Sequence, residues 1–79
     1  MYDATIRIQQ DEKPRAISHF SAESAFLAEQ GALKSVMQKI KKVRGKSTVY
    51  YDIIINDEFG KFVKQLEDVC TVRDGIIKS

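Results

Sequence analysis

The 79-residue sequence predicts an α+β domain: a two-layer sandwich in which a sheet of three to four strands carries two helices on one face. Three observations predict it. Residues 2–9 alternate apolar and polar, residues 48–56 are dense in β-branched and aromatic side chains, and two segments, 22–44 and 57–69, repeat apolar residues at helical spacing.

In the first segment Tyr2, Ala4, Ile6 and Ile8 share one face, and Asp3, Thr5, Arg7 and Gln9 the other, as in a half-buried strand. Residues 10–14 are polar and end in Pro14, which has no N–H to give to a central ladder, so a turn is expected. Residues 15–20 read either as a short second strand, with Ala16, Ser18 and Phe20 on one side, or as irregular chain. Ser21 suits a helix N-cap, with Glu23 facing the positive end of the helix dipole. Beyond it Phe26, Leu33, Val36, Met37 and Ile40 fall on one arc of a helix, while Lys34, Ser35, Gln38, Lys41 and Lys42 fan across the other side. The helix should fade near Arg44, with Gly45 as a left-handed stop. Gly31 costs such a helix roughly 1 kcal/mol relative to Ala and marks a kink or a junction. Glu29 falls inside the apolar arc, where an unpaired carboxylate is costly to bury. Either the helix resets at Gly31 or Glu29 finds a partner.

Residues 48–56 place Val49, Tyr51, Ile53 and Ile55 on one face and Tyr50, Asp52 and Ile54 on the other, the pattern of a long central strand. Asp57 is an apt N-cap for a second helix, in which Phe59, Phe62, Val63, Leu66 and Val69 follow helical spacing. Residues 71–78 read as a last strand, with Asp74-Gly75 forming either a bulge or a hairpin turn. The order strand, helix, strand over 51–77 resembles the second half of a ferredoxin-like sandwich. That fold places a hairpin between its helices, where 46–56 offers a single strand, and no functional residue is carried over. With no repeat, low-complexity tract or linker, one domain spanning 1–79 is expected.

A hydrophobic content of 43% with 30% charged residues places the chain among globular sequences, with a thin core for its length. The lone Cys70 has no internal disulfide partner. The amino terminus lacks the basic start and apolar block of a signal peptide, and the longest apolar run is broken by Asp52, far short of the roughly 18 residues a membrane span needs. A cytoplasmic protein with no membrane association is expected. The net charge of +2 conceals a segregation: Lys34, Lys39, Lys41, Lys42, Arg44 and Lys46 follow one another with no acid between them, and acids outnumber bases in the rest.

No P-loop, dinucleotide-binding glycine pattern, nucleophile elbow or metal-spaced Cys and His set is present, so no catalytic residue, metal or cofactor is expected. His19 and Cys70 are the residue types of a nucleophile pair, yet Cys70 reads more simply as a small buried hydrophobe and His19 as a loop residue. Glu29 reads as a salt-bridged acid rather than a pocket acid. Two surfaces remain. Tyr50 and Ile54, on the sheet face away from the helices, suit a protein partner or a second copy of the chain, because a thin core favours association. The basic segment suits the phosphates of a nucleic acid. The leading expectation is a small non-catalytic binding protein that docks on a protein partner, as accessory or inhibitory proteins of mobile elements and bacterial adaptors do. The alternative is a nucleic-acid-binding module.

Overall fold

The computed structural model describes residues 1–78. Its elements are β1 (Tyr2–Gln10), β2 (Ala16–Ala22), α1 (Ala25–Ile40), β3 (Lys46–Asn56), β4 (Phe62–Arg73) and β5 (Ile76–Lys78). The strands form one curled antiparallel sheet, a half-barrel of order β2-β1-β3-β4-β5, with α1 packed across β1, β2 and β3. This corrects the expected sandwich: the sheet has five strands, and it carries one helix rather than two.

The difference lies in residues 57–73. Asp57 does not cap a helix. Its Oδ1 accepts hydrogen bonds from the N–H groups of Phe59 and Lys61, both at 2.9 Å, and its own N–H donates to the Lys61 carbonyl, which turns β3 back into β4. Gly60, at φ 80°, supplies the left-handed residue that closes this three-residue loop. Of the apolar residues that mimic a helical stripe, Phe59 lies in this turn and the others are divided between the two faces of β4, because successive side chains of a strand alternate. Leu66 falls with Cys70 and Val72 on the helix side, and Val69 on the reverse. The likeness of 51–77 to a ferredoxin-like half falls with that helix, since the segment is strand, turn, strand. At Asp74-Gly75 the chain makes a two-residue hairpin turn, both residues having positive φ, and β5 pairs with Thr71–Arg73.

Of the two readings of residues 15–20 the strand holds, as β2 (Ala16–Ala22), which is paired along its length with β1. The helix starts later than its sequence suggests. Ser24, not Ser21, is the N-cap, its Oγ accepting from the Leu27 N–H at 3.1 Å, while Ser21 Oγ donates to Asp3. It ends at Ile40, so Gly45 belongs to the loop before β3. The helix runs through Gly31 unbroken. A side chain there would collide with the Phe20 ring of β2, so the glycine makes room for close packing and not for a kink. Its buried stripe is Ala28, Ala32, Val36 and Ile40, one residue every four, whereas Phe26, expected on the inner arc, is 67% exposed. Glu29 finds a partner in Lys64 of β4, 2.7 Å away.

Beneath the helix Ala4, Ile6 and Ile8 of β1, Val49, Tyr51, Ile53 and Ile55 of β3, and Val72 of β4 complete the core. The alternation in β1 and β3 sets this inner face as the sequence predicts. Among the described residues, no helix is long and apolar enough to cross a membrane.

Candidate docking face and basic end

The alternation that buries Ile53 and Ile55 turns the intervening residues of β3 to the sheet face opposite α1. Register extends that face sideways: Arg7 of β1 and Glu67 of β4 lie opposite Asp52, Thr5 and Gln65 opposite Ile54, and Gln9 and Val69 opposite Tyr50. His19 and Ile17 of β2 continue the rows beside Thr5 and Arg7. No further layer of described residues covers this side.

At its centre Asp52 is only 1% exposed although it faces away from the core. Arg7 holds it from both guanidinium positions, Nε donating at 2.7 Å to Oδ1 and Nη2 to Oδ2. The Tyr50 hydroxyl lies 3.2 Å from Oδ2 and 3.3 Å from a Glu67 oxygen. These contacts set the local protonation. The hydrogen bond from Arg7 holds the Asp52 carboxyl below the usual carboxylate range against the opposing effect of burial, and the same pair raises Arg7. Loss of hydration, followed by the nearby Asp52 charge, pushes the Tyr50 phenol up. Arg15, beyond the β1–β2 turn, places its guanidinium carbon 5.7 Å from the centre of the Tyr50 ring, within cation–π range. The result is a fixed, fully paired polar centre, flanked by half-buried Tyr50 and Ile54 and by the more exposed Ile17 and Val69, at 62% and 59%.

The basic segment sits at one end of the sheet. Lys34 projects from the middle of α1, separate from the others, and Lys39 turns toward Lys13, Pro14 and Ala16 around a largely apolar hollow of about 260 Å³. Lys41, Lys42 and Arg44 occupy the exposed loop before β3. Lys46 faces the reverse side of the sheet opposite Arg73 and joins Thr71, Arg73 and Lys78 around a second hollow of about 360 Å³. The β4–β5 turn is tied to this loop by paired bonds between Gly45 and Asp74, at 2.8 and 2.9 Å. The sequence run therefore divides: Lys41, Lys42, Arg44 and Lys46 share one end, while Lys34 and Lys39 do not join Lys46. Arg73 and Lys78, absent from the basic run, come into it through the Asp74-Gly75 turn.

His19 and Cys70 do not meet. His19 is on the reverse face of β2, with Nδ1 3.4 Å from Thr5 Oγ1, and Cys70 is on the helix side of β4, with β1 and β3 between those strands. Burial, with the Asp68 charge behind it, pushes the Cys70 thiol up, away from the reactive thiolate. Among the described residues no three His, Cys, Asp or Glu side chains gather as metal ligands. The Arg7–Asp52 pair was not singled out by sequence reasoning. Its signal was present: an acid inside the most apolar strand of the chain needs a cation, and Arg7 is the base on the polar face of the other long alternating strand.

No family model, curated protein or solved structure matches this chain.

Proposed function

We propose that the chain is a small non-catalytic binding protein that docks on a protein partner through the open face of its sheet, with Tyr50 and Ile54 at the centre. The observation that carries this reading is the uncovered face itself, whose middle is a rigid, internally satisfied Arg7–Asp52–Tyr50 network ringed by Ile17, Ile54 and Val69. Docking there leaves Asp52 paired, because Arg7 already compensates it, and it removes apolar and aromatic surface from water. Tyrosine and arginine in a partly apolar surround are the residues that dominate protein interfaces. The unpaired Cys70 suits a reducing, cytoplasmic setting. The test is capture of partners from a lysate treated with nuclease, using the native chain and the variants Tyr50→Ala and Ile54→Asp. A specific protein retained by the native chain at moderate salt and lost from both variants supports the reading. Equal retention by all three removes it.

A second reading rests on a different observation, the convergence of Lys46, Arg73 and Lys78 on one hollow. These cations, with Lys41, Lys42 and Arg44 close by in sequence, suit the phosphates of a nucleic acid. Such binding falls steeply with salt, whereas apolar docking persists. Loss of a gel shift in Lys46→Glu/Arg73→Glu would support this use of the basic end, and an unchanged shift would exclude it.

A further inference from the structure

We infer that two copies of this chain pair edge to edge through β4, in one antiparallel register centred on Leu66. Three features of the strand carry the inference.

The first is an unpaired edge. β5 covers only Thr71–Arg73, and among the described residues none pairs with the outer side of β4 from Phe62 to Cys70. Such an edge presents a row of backbone donors and acceptors ready for another strand. Its midpoint in sequence is Leu66. The register with β3 is unbroken from Arg73 to Lys64, and the one irregularity, which leaves Val63 without a partner, lies at the end of this stretch.

The second is the phase of the ladder. Arg73 and Ile76 flank a two-residue hairpin turn, so their N–H and C=O groups face each other. Counting back in twos, Thr71, Val69, Glu67 and Gln65 direct their backbone groups to the outer side. A two-fold axis at Leu66 sets Gln65 of one copy opposite Glu67 of the other, and both carry outward-facing groups. Leu66 then faces itself as a non-hydrogen-bonded pair.

The third is charge. With Leu66 opposite itself, Lys64 lies opposite Asp68, twice by symmetry, and all four side chains are on the helix side of the sheet. A centre at Gln65 sets Lys64 against Leu66. A centre at Glu67 sets two glutamates face to face, and one at Asp68 two aspartates. Charges that keep an edge from pairing at random are thus opposed as unlike pairs in one symmetric register. Lys64 also holds Glu29, so it would stand between the acid of its own helix and Asp68 of the second copy. Leu66 is half-buried against the core margin, and α1 leaves β4 largely uncovered, so a second leucine there would extend the apolar layer. The product is a closed pair with a continuous sheet of both chains.

Sedimentation of the native chain over a wide concentration range should show a monomer–dimer equilibrium with nothing larger. Asp68→Lys should raise the dimer dissociation constant by about tenfold, since two unlike pairs become like pairs, and Lys64→Asp/Asp68→Lys should recover the loss. In a Cys70→Ser background, Leu66→Cys should form an intermolecular disulfide on mild oxidation, because non-hydrogen-bonded partners have Cα atoms about 4.5 Å apart. Gln65→Cys, which faces Glu67, should not. Circular dichroism confirms that each variant is folded. A monomer at every concentration, a cross-link at Gln65→Cys but not at Leu66→Cys, or growth into open oligomers overturns the inference.

Discussion

The ring of Phe20, on β2, fills the space in which a side chain at Gly31 of α1 would have to lie. This contact lets the helix approach the edge strand closely, and it works against the usual gain from replacing a helical glycine. Gly31→Ala gains roughly 1 kcal/mol of helix propensity, but the partly exposed Phe20 ring must swing aside to admit the methyl group, so the rise in melting temperature should be smaller than that propensity implies. Made in a Phe20→Ala background, the same change should give the full rise. A double-mutant cycle followed by thermal unfolding measures the coupling.

The Arg7–Asp52 pair predicts the acid limb of the stability curve. Because Asp52 has a folded pKa below its unfolded value, the folded chain binds fewer protons, so the contribution is full above the unfolded value of about 3.9. It is lost as the pH falls through the still lower folded value. Asp52→Asn should flatten stability in that window, measured by denaturant unfolding at a series of acid pH values. Asp11, lowered by the Thr48 backbone N–H, acts in the same direction and should leave a residual slope. Arg7→Met should cost more than Asp52→Asn at neutral pH, since it strands a buried carboxylate.

Ser21 is the helix cap that the sequence suggests, but it is Ser24 that accepts the bond from Leu27. Ser24→Ala should cost about 1 kcal/mol, and Ser21→Ala less than about 0.5 kcal/mol, in equilibrium unfolding.

Ile53 and Phe26 test which face of each element is buried. Ile53→Ala, in the middle of β3 and wholly enclosed, should cost about 2–5 kcal/mol, a large part of the roughly 4–12 kcal/mol that a chain of this length holds. Phe26→Ala should fall within about 0.5 kcal/mol of native, as expected of an exposed site.

Much of the inner face was legible in the sequence, because β1 and β3 each bury one side and period-two alternation reports that directly. β4 was not. Its reverse face is open to solvent and its edge is largely unpaired, so it needs no clean apolar stripe, and Phe62, Val63, Leu66 and Val69 happen to fall at helical intervals. Asp57 added to the ambiguity, since the oxygen that caps a helix also closes an Asx-type turn, and Gly60 three residues on was the discriminating signal. Of the proposed surfaces, Tyr50 and Ile54 were placed on the open face by strand alternation alone. The basic end was visible only in part, because Arg73 and Lys78 reach Lys46 through a hairpin that the sequence left undecided.

Of these five strands the first to be synthesised, β1, is an inner strand of the finished sheet. β1 can zip onto β2 at once, across a short turn, but its other side must wait until residues 46–56 have been made, more than a helix later. The nascent hairpin thus keeps one raw side throughout that interval, and joining it to β3 requires closure of a long loop. Folding should therefore be slower than the small size implies, and the vulnerable stage is the one in which β1 has found only one of its two neighbours.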